Sequence, residues 1–163
     1  MKGKFRMNLL TVGFLMGLGG TAAMDIWAEA LWRFSGQRKP NWAMPGRWVG
    51  HVAKGVLFHD DIGKAPPVAG ERAIGWMFHY AVGIIYGMAY AALAGSNTVN
   101  DASFLPIWVF SILTIGAGWF LLQPGMGLGW AASKTPNPWQ TRGLGLIAHS
   151  WFAVGMWGIA RII

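Results

Sequence analysis

Two histidines stand in the same local setting in this chain. Arg72-Ala-Ile-Gly75-Trp-Met-Phe-His79 comes back as Arg142-Gly-Leu-Gly145-Leu-Ile-Ala-His149, and an apolar, Gly-rich run follows each. Seven residues of helix rise about 10 Å, so each imidazole sits well below a polar Arg anchor if both stretches are helical. Asp25 and Glu29, one helical turn apart, are the acids within reach of the same level. Imidazole with carboxylate suits a borderline divalent metal, Asp25 acting as ligand or as the group that orients one. Two His on separate helices could instead ligate a haem from both faces. A proton-coupled transporter would use the same groups as carriers, since His titrates near neutrality. Against these stands a purely structural role, a cross-helix hydrogen bond of about 0.6–2 kcal/mol for each His. A third reading leaves the His facing interfacial space with little to do.

The elements that must hold these residues are read from where charge is missing. The chain has 163 residues, 54% hydrophobic and 12% charged, against about 25% charged in soluble domains. No Asp, Glu, Lys or Arg falls between Arg6 and Asp25, Arg72 and Asp101, Asp101 and Lys134, or Arg142 and Arg161. Each interval reaches or approaches the roughly 18–20 residues that cross hydrocarbon. This predicts an all-α integral membrane four-helix bundle, one transmembrane domain over 1–163, with spans about 7–31, 73–93, 104–122 and 143–160. The net charge of +7 and pI near 10.3 come from Lys and Arg that edge the apolar runs, which is how spans are oriented on anionic bilayers. They form no stripe for nucleic acid, so that class is set aside. With no Cys in the chain, disulfides, thiolate metal sites and covalently attached haem are excluded.

In chain order, Lys2, Lys4 and Arg6 before Asn8–Gly20 resemble a secretory signal, with Thr21-Ala22-Ala23 as a cleavage site. The apolar pattern runs on through Ile26, Trp27 and Leu31, so a single uncleaved helix is the preferred reading. Gly13-x-x-x-Gly17 on it, and Gly83-x-x-x-Gly87 on the second span, permit close helix approach. Between Pro40 and Pro66-Pro67, residues 45–58 form an amphipathic pattern too short to span. Trp48, Val49, Val52, Ala53, Val56 and Leu57 line one side, and Arg47, His51 and Lys54 the other. A helix lying in the headgroup region fits this, stopped near Gly63. Gly95 to Asp101 reads as a turn. Gln123-Pro-Gly-Met-Gly-Leu-Gly129 suggests a broken or re-entrant end to the third span, tolerated only where protein or water satisfies the backbone.

The Arg-x-x-Gly-x-x-x-His recurrence implies an internal repeat, two plus two spans in parallel. Topology then carries Asp25, His79 and His149 to one depth, with Glu29 slightly nearer the surface and His51, His59, Asp60 and Asp61 above. His51 and His59 are about 80° out of register on one helix, so an unbroken helix would not bring them to one ion. Of the Lys and Arg near the spans, nine lie in the two long loops and four in the termini, which puts the loops in the cytoplasm; the basic N-terminal hexapeptide argues the reverse. Gly17-Leu-Gly-Gly20 and Gly125–Gly129 lack the Lys-Ser/Thr of a phosphate loop. His149-Ser150 is no nucleophile pair, because adjacent helical residues diverge by about 100°.

Gly17-Leu-Gly-Gly-Thr-Ala-Ala-Met-Asp25-Ile-Trp, the Trp48–Asp61 segment and Gln123-Pro-Gly-Met-Gly together resemble an uncharacterised family of bacterial multi-pass membrane proteins, domain of unknown function 2938. The resemblance implies a bacterial inner membrane location and no established activity, and it assigns no catalytic residue. The expectation is a small multi-pass protein with an Asp25/His79/His149/Glu29 site, surrounded by His51, His59 and Asp60, for a divalent metal, a haem or protons in transport. The alternative is a non-catalytic accessory subunit, or a homo-oligomer, that packs through its Gly-rich faces and Trp belt against a larger membrane complex.

Overall fold

The computed structural model describes residues 8–163, and the side chains of all of these but 96–101. Among the described residues there are five helices and no strand. They are α1 (Leu9–Ser35), α2 (Ala43–Val52), α3 (Glu71–Asp101), α4 (Phe104–Gly125) and α5 (Pro138–Ile162). All but α2 contain a stretch long and apolar enough to cross a membrane. Lys2, Lys4, Arg6 and Met7 lie outside the described residues.

The helix ends follow local chemistry. Asn8 caps α1 by accepting from Thr11 N at 2.8 Å. The helix runs unbroken through Thr21-Ala22-Ala23 to Gly36, which closes it at φ 70°, past the expected end at 31. α3 kinks at Gly95 (φ 72°) and is helical again to Asp101, where the sequence suggests a plain turn. α4 does not stop at 122. Its last turns are a π-helix, Gly118–Leu122, and a short α turn, Gln123–Gly125. α5 begins earlier than 143, since Asn137 accepts from Gln140 N and Pro138 fits the first turn.

α1 is the centre, packed between α3 and α5; α4 packs on α5 and hardly touches α3. The two Gly-x-x-x-Gly motifs face each other. A Cβ on Gly17 would stand 2.3 Å from Gly83 O, and one on Gly87 2.3 Å from Gly13 O. On the other flank, a Cβ on Gly155 of α5 would stand 2.4 Å from Gly19 O. Lipid tails are as apolar as Leu, so backbone proximity and dispersion must hold such helices together. Met16, Tyr90, Ile107, Phe152 and Met156 fill the middle.

The helix expected over 45–58 is shorter and differently placed. It ends at Val52, because Lys54 N and Val56 N both bond to His51 O while Gly55 N bonds to Val52 O, with Gly55 at φ 85°. Val56, Leu57 and Phe58 continue outside it, exposed. Its apolar side packs on protein: Trp48, Val49 and Val52 meet Ile62, Phe78, Leu122 and Met126. A Cβ on Gly46 or Gly75 would stand 1.7 Å from a carbonyl oxygen of the other helix, so Gly75 is the seat of α2 on α3. Gly145, its counterpart in the sequence motif, meets only the side chains of Ile115 and Trp119 at 3.7 and 3.8 Å.

Arg47, expected on the solvent side, straps this layer down. Its Nε and Nη2 donate to both oxygens of Glu71 at 2.8 Å, and Nη1 donates to the carbonyls of Ile62, Gly63 and Ala65 at 3.1, 3.2 and 3.0 Å. The bidentate carboxylate holds the guanidinium proton beyond the ordinary arginine range.

Candidate functional site

Asp25 faces α3 from the second half of α1. His79 Nε2 donates to its Oδ1 at 3.1 Å, and the Tyr80 hydroxyl donates to its Oδ2 at 2.8 Å. The His79 ring lies against Trp42, centroids 3.9 Å apart and planes 25° apart. The side chains of His79 and Asp25 are 10% and 24% exposed, so carboxylate and imidazole share a mostly dry contact at the point where α2 meets the bundle.

His149 has different partners. Its Nδ1 lies 2.9 Å from Ser111 O and 3.2 Å from Thr114 Oγ1, both on α4. The Thr114 hydroxyl already donates to Ser111 O at 2.7 Å. Each of the two repeated histidines therefore bonds into the long apolar helix that precedes its own, His79 of α3 into α1 and His149 of α5 into α4. They do not share Asp25. Both line the same two cavities.

Donor and acceptor accounting sets the tautomers. A carboxylate and a carbonyl can only accept, so neutral His79 carries its proton on Nε2 and neutral His149 on Nδ1. That leaves His79 Nδ1 and His149 Nε2 as lone pairs with no partner among the described residues.

The first cavity, about 360 Å³, opens between α3 and α4, where those helices part. Thr21, Met24 and Phe152 line it on one side and Trp42 and Trp48 at its end, and His79, His149, Thr114 and Tyr86 bring polar groups to it. Ile85 and Leu121 stand at its lips, 59% and 50% exposed on the lipid-facing surface. The π-helix supplies Gly118, Leu121 and Leu122 to this wall. An extra residue per turn re-aims side chains, and such turns recur at functional sites. The second cavity, about 370 Å³, lies on the loop side among Gln37, Arg38, Pro40 and Thr141. Gln123, whose buried Oε1 has no partner among the described residues, lines it too. The two share Met24, Trp42, His79 and His149 as a common wall.

The other expected site residues stand elsewhere. Glu29 pairs on the surface with Arg33 and Lys39. His51 and His59, separated by the early end of α2, meet at 2.8 Å. Asp60 is exposed, and Asp61 caps Gly63 N at 2.8 Å with Lys64 beside it. Among the described residues no three His, Cys, Asp or Glu side chains gather closely enough to hold a metal ion. Sequence reasoning missed Trp42, Tyr80 and Thr114. Tyr80 adjoins His79 in the chain and could have been named with it; nothing local marks the other two.

The sequence profile of a family described as "Protein of unknown function (DUF2938)" matches residues 14–163, and the chain belongs to that family. No curated protein and no solved structure matches it.

Proposed function

We propose that this DUF2938 chain is an integral membrane binding protein for a long-tailed amphiphile with a hydroxyl head, whose O–H donates a hydrogen bond to His79 Nδ1. One observation carries the reading: two imidazole lone pairs, without protein donors, at the polar end of an apolar cleft that opens sideways to lipid. Such a cleft has the size of small-molecule sites, and its free acceptors call for a ligand that donates. Asp25 holds neutral His79 in the tautomer that leaves Nδ1 with a free lone pair, as a buried acid does for the imidazole of a hydrolase triad. The Tyr80 hydroxyl keeps the second carboxylate oxygen occupied.

Two free imidazole nitrogens fall short of the four ligands of a closed zinc site, which favours a hydrogen-bond donor over a metal as the ligand. We further read the two His-bearing helix pairs as a duplication, and the family resemblance supports a bacterial inner membrane as the location.

The test compares geranylgeraniol with its methyl ether on purified protein in nanodiscs, read by fluorescence of the cleft tryptophans. A buried acceptor left unmatched costs about 1–3 kcal/mol, so the alcohol should bind about fivefold to 150-fold tighter than the ether. His79→Phe should erase that preference and His149→Phe leave it, while tail binding remains in both. Equal binding of both probes, or of neither, would overturn the reading; co-purification with a larger complex would then favour the accessory subunit.

A further inference from the structure

A second pair of histidines lies outside the cleft, where α2 ends. His51 Nδ1 and His59 Nε2 are 2.8 Å apart. The outer nitrogens of both rings face carbonyl oxygens: His51 Nε2 lies 3.0 Å from Pro66 O, and His59 Nδ1 3.0 Å from Gly125 O. Carbonyls only accept, so each outer nitrogen must carry a proton. A neutral imidazole has just one. Were both rings neutral, their two protons could serve only two of the three contacts, and the third would set lone pair against lone pair at 2.8–3.0 Å. A metal does not resolve this, since two nitrogens at about 2.0–2.1 Å from one tetrahedral ion stand about 3.3 Å apart.

We propose that His51 and His59 form a binding site for a single proton, shared between their inner nitrogens, and that this proton latches α2 to the end of α4. The pair carries one positive charge in the latched state. The latch bears on a defined strip of backbone. His59 N donates to Gly125 O and Ile62 N to Met126 O, while Trp48 Nε1 donates to Leu57 O. Gly125 and Gly127 permit the approach, because a Cβ on either would lie 2.4 Å or less from Trp48 Nε1 or Asp60 O. The strip joins Trp48, at the end of the cleft, to the wall that the π-helix builds.

The charged surroundings suit one extra proton. From the start of α3, the Glu71 carboxylate is close enough to interact with the charge on His51, although Arg47 of α2 occupies it directly. Lys54 follows in the turn, and Asp60, Asp61 and Lys64 belong to the His59 loop, all exposed. The α4 side brings no charge at all, since Gly118–Ser133 contains no Asp, Glu, Lys or Arg. The latched state binds one proton more than an open state with neutral rings. Its population therefore falls, by up to about tenfold per pH unit, on the alkaline side, where open rings are neutral, and again on the acid side, where two separated rings each take a proton and the latch holds only one.

Hydrogen exchange and ring-nitrogen NMR on the intact chain in nanodiscs test this. After correction for intrinsic exchange, the His59 and Ile62 amides should lose protection on either side of an optimum pH, by up to about tenfold per unit, while α1 amides facing α3 do not. His51→Phe should make the same amides independent of pH. NMR of ¹⁵N-histidine protein supplies a second readout should that variant fail to fold. Three N–H protons over the two rings, one coupled to a nitrogen of each, is the expected pattern. Two N–H protons over the two rings at the pH of greatest protection, or flat protection of His59 and Ile62 across pH, would overturn the proposal.

Discussion

Gly17 of α1 and Gly83 of α3 pass so closely that a Cβ on Gly17 would stand 2.3 Å from the Gly83 carbonyl oxygen and 2.6 Å from Ile84 Cα. Two backbones, not two side chains, set the distance between these helices. Asp25 lies two turns further along α1 and reaches His79, one turn before Gly83. The Asp–His contact therefore depends on the glycine crossing for its register.

Gly17→Val should separate the helices, since a clash against backbone finds no rotamer to escape into. Overpacking of this kind costs about 1–3 kcal/mol or more. Gly158→Ala on α5 serves as the control, because nothing lies within 4 Å of its Cβ. Unfolding in mixed detergent micelles should show a large loss for the first and none for the second, where Ala improves helix propensity.

Asp25→Ala should strip His79 Nε2–H and the Tyr80 hydroxyl of their acceptor at once, at about 1–3 kcal/mol of stability. Tyr80→Phe removes a donor and its hydroxyl together, and should cost less. If the carboxylate works through His79, Asp25→Asn should retain most of the stability and still lose the alcohol-over-ether preference. Detergent unfolding and probe titration on the same samples separate the two effects. A variant that loses stability but keeps the preference would make Asp25 a structural residue only.

Arg47→Gln should free the 62–65 loop and the start of α3 together, because one guanidinium holds a carboxylate and three carbonyls. Proteolysis of the folded protein should open between Val52 and Glu71 in this variant and not in the parent. Lys54→Gln, on an exposed turn residue, should leave the segment protected.

The loops that carry α2 and Lys134 hold most of the Lys and Arg, and the positive-inside rule predicts that they lie on the cytoplasmic side. The chain lacks cysteine, so single cysteines at Lys64, Lys134 and Ile163 report without background. An impermeant maleimide on intact cells should label the last and spare the first two. The reverse pattern would invert the topology and leave the site geometry untouched.

The four crossings were legible in the sequence because hydrocarbon excludes charge residue by residue, and that rule adds up along a chain without reference to any partner. Gly13-x-x-x-Gly17 and Gly83-x-x-x-Gly87 were visible as motifs for the same reason. That they face each other was not, since a pairing belongs to two helices and is written in neither. The same limit applied at the site. Topology brings His79 and His149 to a common cleft, but helix rotation, a matter of a fraction of a turn, gave Asp25 to His79 and left His149 to Ser111 and Thr114 of α4. Helical periodicity carried the expected α2 to residue 58 because Val56 and Leu57 fit an apolar stripe. Tertiary structure ended it at Val52, where pairing of His59 and Ile62 with the end of α4 satisfies the backbone that a longer helix would have satisfied itself. Composition dictates where a chain must be helical in lipid; only packing decides which polar atom meets which, because each such contact exists only once both helices are in place.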